Sequence, residues 1–162
     1  MHIYLDMDGV IVDFFSGLAR YHRVQHWKDI PDKETSILLL QGTDFFFTLD
    51  KFETSDELVA WLHDLTNGEW KICSSPLRGD HKNSAYWKRM WLDKHGYTPA
   101  EQIYTSHKHR HAVSDTGEAN ILIDDRPENI EHWIEKGGIG IRYQANEDSL
   151  SHLKEQVLRH YK

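Results

Sequence analysis

The chain has 162 residues with 19 basic and 26 acidic side chains, a formal net charge of -7 with histidine neutral. That length fits one compact domain over residues 1 to 162 and buries about two-thirds of the unfolded surface, while the acidic balance repels a long polyanion and argues against extended nucleic-acid binding. A single cysteine, Cys73, excludes an intrachain disulfide framework or cysteine-rich zinc site, and no apolar run reaches the about 20 residues that cross a bilayer, so a cytoplasmic protein without signal peptide or membrane anchor is expected.

The first element is the short β-prone run His2-Ile3-Tyr4-Leu5, which ends in acidic residues and Gly9 and so reads as a buried strand with Asp6 at its carboxyl end. A helix from about Asp13 to Tyr21 follows. From there to about Phe52 the pattern is irregular, with Pro31, Gly42, an apolar fragment Ile37 to Leu40 and the aromatic string Phe45-Phe46-Phe47. It reads as a small helical cap inserted at about 16 to 52. Thr54 and Glu57 form a capping box ahead of Leu58, Trp61, Leu62 and Leu65 at helical spacing, and Gly68 stops that helix.

Trp70 to Cys73 is the next strand, ending at Ser74-Ser75-Pro76, and a helix from about Asn83 to His95 terminates at Gly96. Thr98-Pro99-Ala100-Glu101 has the form of a second capping box with proline at the first helical position. In His107-Lys108-His109-Arg110-His111 alternate imidazoles would share a face if the segment were extended. It reads as a solvated basic loop, with zinc binding as the alternative. Ile121-Leu122-Ile123 is a strand ending at Asp124-Asp125, Pro127 opens a helix to Gly137-Gly138, Ile139 to Tyr143 is a last strand, and Leu150, Leu153 and Val157 mark a final helix. Strands alternating with helices predict a three-layer α/β/α, Rossmann-like parallel sheet, in which ligands bind beyond the carboxyl ends of the strands.

Asp6 with Asp8, Ser74 with Ser75, and Asp124 with Asp125 each follow a short apolar run, so all three pairs are expected at one sheet edge. Four carboxylates brought together would repel strongly, so a hard divalent cation is the economical explanation, and an all-oxygen site with room for water suits magnesium. A calcium EF-hand starting at Asp6 is excluded, because it would need glycine at Ile11 and glutamate at Gly17. Gly137-Gly138-Ile139-Gly140 follows a helix and precedes a strand, the reverse of a dinucleotide site, and is read as a turn.

The order of these motifs resembles that of the haloacid dehalogenase superfamily. Within it, the strings DMDGVIVDFF from Asp6, FFFTL from Phe45, ICSSPL from Ile72, KRMWLDKHG from Lys88 and LIDDRPENI from Leu122 are similar to the 5'(3')-deoxyribonucleotidase family, covering most of the chain outside residues 22 to 44. The resemblance implies a magnesium-dependent phosphatase acting on a nucleoside monophosphate. Asp6 is the implied nucleophile, forming an aspartyl-phosphate, and Asp8 the acid and base. Ser74 and Ser75 are the implied phosphate-binding hydroxyls. Lys88, three residues before Trp91, is the implied cation on nucleophile and phosphate, with Lys82 in reserve.

Asp6, Asp8, Asp124 and Asp125 are the implied holders of Mg2+, with Asp125 favoured over Asp124 as a direct ligand. Phe14 and Arg126 fall where the family touches substrate, although Phe14 also suits core packing. Leu40 stands where the family has a tryptophan, and Val24 to Ser36 is shorter than the family cap, so base recognition is the least specified feature. A sugar phosphate or other small phosphometabolite is the alternative substrate. A phospho-accepting switch and a silent magnesium-binding scaffold are the alternatives of another class.

Overall fold

The computed structural model describes residues 1–162. In chain order the elements are β1 (Ile3–Leu5), α1 (Phe14–Tyr21), α2 (Lys33–Leu38), α3 (Ser55–Leu65), β2 (Lys71–Ser74), α4 (His81–Lys94), β3 (Glu101–Tyr104), β4 (Ile121–Asp124), α5 (Pro127–Glu135), β5 (Ile139–Arg142) and α6 (Leu150–His160). Short 3-10 helices lie at Trp27–Asp29, Phe45–Thr48 and Lys108–His111.

All five strands are parallel, in the order β3-β2-β1-β4-β5. Strand direction alternates side chains between faces, and both faces are apolar here. Ile3, Leu5, Ile72, Ile121, Ile123 and Ile141 belong to the larger core, with Leu58 and Leu62 of α3, Trp91 of α4 and Leu153 and Val157 of α6. Tyr4, Cys73 and Leu122 turn the other way, onto Ile130 and Trp133 of α5 and onto Ala112. This is the expected three-layer α/β/α arrangement.

The order places a switch point between β1 and β4, because the chain leaves β1 toward β2 and returns on the other side to form β4. Register then decides which residues meet at the carboxyl edge. Leu5 pairs with Ile72 on one side and with Ile123 on the other, so Asp6 and Asp124 emerge side by side one residue later, next to the end of β2. The Asp6 amide donates to the Ile123 carbonyl at 2.9 Å and fixes that alignment.

Three expectations are corrected. Thr98 to Glu101 does not start a helix: Glu101 to Tyr104 form β3, paired with Lys71 to Ser74, and the Ala100 amide donates to the Trp70 carbonyl. The free edge of β2 needs a hydrogen-bonding partner, and that requirement outweighs a local capping signal. Thr54 precedes α3, but its side chain makes no cap bond; instead Ser55 Oγ accepts from the Phe52 amide and donates to the Ile11 carbonyl. Residues 108 to 111 are helical rather than extended, so the three alternate histidines do not share a face. His111 turns toward the Tyr4 ring instead.

Between α1 and α3 the chain forms α2 and two of the 3-10 helices. Phe45 and Phe46 are buried, and Trp91 Nε1 donates to the Leu49 carbonyl at 2.8 Å, tying this segment to α4.

Candidate active site

Asp6 sits at the end of β1, 5% exposed, where the backbone leaves the sheet in a tight turn. The amides of Val10, Ile11 and Val12 all point to the Met7 carbonyl, and Gly9 takes φ +83°, a conformation costly for a residue with Cβ. A Cβ at Gly9 would also collide with Asp125 Oδ2, so glycine here lets the first and last acidic motifs approach each other.

Two buried ammonium groups divide this site between them. Lys88, 1% exposed on α4, donates to Ser74 Oγ at 2.7 Å, to the Ser75 carbonyl at 2.9 Å and to Asp8 Oδ2 at 3.0 Å, and lies 4.8 Å from the centre of the Phe46 ring. Lys108, 3% exposed, donates to Asp6 Oδ1 at 2.8 Å and to Asp124 Oδ2 at 2.7 Å. Asp124 also accepts from Asn129 Nδ2 at 3.1 Å and from the Arg126 amide at 2.9 Å. Burial opposes the charge on Lys108, but Asp6 and Asp124 outweigh it and hold the ammonium pKa above the usual lysine range.

The acids exceed these two cations. Asp6, Asp124 and Asp125 each offer an oxygen within 4.8 Å of the others. Burial, reinforced by Asp124 and opposed by Lys108, pushes the Asp6 carboxyl up to about 7. Burial, with Asp6 and Asp124 behind it, pushes Asp125 up to about 9. Asp8 Oδ1 is buried without a hydrogen-bond partner. A cluster of this kind lacks positive charge, and a hard divalent cation with oxygen ligands fits it.

A cleft of about 620 Å³ opens on this cluster. Its polar lining includes Asp6, Asp8, Ser75, Lys108, Asp125 and Arg126. Its apolar lining includes Phe14, Phe15, Ile37, Leu38 and Phe46, with the Phe14 and Phe46 rings near-parallel at 18° and 6.4 Å between centres. Charged chemistry and aromatic surface are thus offered to one ligand.

Of the residues singled out from sequence, Asp6, Asp8, Ser75, Asp125, Phe14 and Arg126 line this cleft. Ser74 and Asp124 are completely buried beside it and engage Lys88 and Lys108. Lys88, expected on the nucleophile and phosphate, bonds Asp8 and Ser74 instead and does not line the cleft, and Lys108 is the lysine on Asp6; the reserve candidate Lys82 is exposed on the first turn of α4. Lys108 is a site residue that the sequence does not mark, hidden as it is in the histidine-rich run. Reading Glu101–Tyr104 as a strand would have put the residues following it at the same sheet edge as Asp6.

No family model matches the chain. It is 30% identical over 151 residues to the mitochondrial 5'(3')-deoxyribonucleotidase of Mus musculus and 29% identical over 150 residues to that of Homo sapiens. Each match covers 79% of this chain, and 66% and 63% of the respective relative, so the chain spans about two thirds of their length or slightly less.

Among solved structures, a predicted phosphatase from Clostridium acetobutylicum superposes with a TM-score of 0.63 at 13% identity, over 98% of both chains. A haloacid dehalogenase family hydrolase from Deinococcus radiodurans, solved with phosphate and sodium, gives 0.60 at 13% identity over 96% of this chain and 87% of that one. A family enzyme from Bacteroides thetaiotaomicron in complex with magnesium gives 0.57 at 15% identity over 94% and 97%. These structures share the fold, the two curated relatives share its sequence, and the chain belongs to the haloacid dehalogenase superfamily, in its nucleotidase-like family.

Proposed function

We propose that the protein is a magnesium-dependent phosphatase that hydrolyses a nucleoside monophosphate, a deoxyribonucleotide by preference, through an aspartyl-phosphate on Asp6. The observation that carries this reading is the pairing of two carboxylates with two lysines at one strand end: Asp6 on Lys108, and Asp8, two residues later, on Lys88. The deoxyribonucleotide preference comes from the curated relatives.

In this reading Lys108 holds Asp6 Oδ1, leaving its other oxygen for phosphorus. That oxygen forms a bond to phosphorus as the ester P–O bond breaks, and Asp8 gives its proton to the departing alkoxide. Asp8 then takes a proton from water, whose oxygen attacks the phosphorus, releasing phosphate and restoring Asp6. Ser75 and Arg126, both on the cleft, are placed to donate to phosphoryl oxygens, and Lys88 orients Asp8 while holding Ser74. Asp6, the Asp8 carbonyl and Asp125, with Asp124 behind, would hold Mg2+, which would supply neutralisation of the charge on the attacking and departing oxygens. Phe14 and Phe46 offer faces to a base, residues 16 to 52 act as the cap over it, and the lone buried Cys73 suits a cytoplasmic setting.

Leu40, at the position of a family tryptophan, is buried in the core and does not line the cleft, which favours a small sugar phosphate as the second reading. Phosphate release measured over 5'- and 3'-nucleoside monophosphates alongside sugar phosphates separates the two. Turnover of nucleotides at least about tenfold above the sugar phosphates is expected, and inert nucleotides beside an active sugar phosphate would overturn the nucleotide assignment.

Gly9→Ala tests the metal arrangement. The left-handed φ and the collision with Asp125 predict a loss of about 1–3 kcal/mol in urea unfolding and Mg2+ binding weaker by about tenfold or more in calorimetry. Unchanged Mg2+ affinity would show that Asp125 does not need its approach to Gly9.

A further inference from the structure

His107 and His109 flank Lys108, and the folding of residues 108 to 111 into a 3-10 helix against α5 brings His132 to the same surface. The His107 and His109 rings are 6.0 Å apart, and the His109 and His132 rings 6.1 Å, so His109 stands between the other two. His107 and His132 are exposed and His109 is half-buried, and none of the three donates or accepts in a side-chain hydrogen bond.

We propose that His107, His109 and His132 form a surface site for a transition-metal ion of the zinc type, separate from the carboxylate cluster. Two imidazoles sharing one zinc at the usual nitrogen distance have ring centres about 5–6 Å apart, and the two neighbouring ring pairs here stand at 6.0 and 6.1 Å. Rotation of the exposed His107 and His132 rings toward His109 brings the ligating nitrogens together, and water fills the remaining position. Nitrogen ligands select zinc, nickel or copper over magnesium, so this site and the all-oxygen cluster sort different ions. Burial, with His107 and the Lys136, His132 and Arg110 charges around it, lowers the His109 pKa and favours the neutral, ligating form.

The position gives the ion a consequence. It ties the 3-10 helix that delivers Lys108 to Asp6 and Asp124 to the helix that begins just after Asp125 and delivers Asn129. Zinc bound here braces two segments whose other ends meet in the cleft.

Zinc titrated calorimetrically into the protein in excess magnesium is expected to show one binding site. His109→Ala and His132→Ala should each weaken it about tenfold or more, and the double variant should abolish it. Asp125→Asn, which impairs the carboxylate cluster, should leave this zinc isotherm in place, and that variant separates the two sites whether or not the chain is a phosphatase. Saturating zinc should raise the melting temperature of wild type by about 5 °C and leave the double histidine variant unmoved. The proposal is overturned if zinc does not bind, if the histidine variants bind it as wild type does, or if Asp125→Asn alone removes it.

Discussion

Asp6→Asn is expected to reduce phosphate release by about 10⁴-fold or more while leaving the protein folded. An amide is a poor nucleophile and cannot form the acyl phosphate, so no alternative route through this position exists. The structural cost is small because an amide oxygen still accepts from Lys108 Nζ, where Asp6 Oδ1 accepts at 2.8 Å. One negative charge fewer also relieves a cluster in which Asp6 and Asp125 are both pushed up in pKa. Thermal unfolding of the metal-free variant should therefore occur at or above the wild-type temperature. Release of phosphate from nucleotides or p-nitrophenyl phosphate at more than a few per cent of wild type would remove Asp6 from its assigned role.

Lys108→Met should be costly in a different way. Its ammonium is the shared partner of two buried carboxylates, and deleting one member of such a group leaves uncompensated charge, a loss of about 3–5 kcal/mol in the metal-free protein. Mg2+ added to the variant should restore much of that stability, since a cation returns to the same acids. Activity should stay about 10²–10³-fold down, because Asp6 is no longer held at a fixed angle to the cleft. Lys82→Met, on the exposed first turn of α4, should stay within about 0.5 kcal/mol of wild type in the same unfolding measurement. Equal stability of Lys108→Met and wild type without metal would show that the Lys108 bridge does not hold the acids in solution.

Much of this site can be recognised from residue order because its carriers lie immediately after apolar strands. Asp6, Ser74 and Asp124 each follow three or so β-prone residues, and a strand that short, buried on both faces, leaves little freedom over where its last residue points. Lys88 is singled out by the family resemblance, in which a lysine stands three residues before a tryptophan, and the structure gives that spacing a reason. Trp91 is fully buried and bonded to the Leu49 carbonyl, which fixes the face of α4 on which Lys88 one turn earlier must lie.

Lys108 has no such local mark. Its neighbours are polar, its 3-10 helix is a single turn, and the strand before it carries the signature of a helix start in Thr98-Pro99. What turns Glu101 to Tyr104 into a strand is the unpaired edge of β2, and what turns Lys108 inward is a pair of carboxylates about a hundred residues and sixteen residues away. The same holds for His109 and His132, which become neighbours only when that turn packs on α5.

Four of the five strands, the parallel sheet and the acidic and hydroxyl pairs at its edge are legible in residue order, because each rests on periodicity and on residues adjacent in the chain. The edge strand β3, the inward lysine at 108, the close approach of Asp125 to Gly9 and the stacking of Phe46 on Phe14 appear only in the folded molecule. Those depend on backbone partners and charges distant in sequence, whose demand for hydrogen bonds and counter-charge overrides local preference.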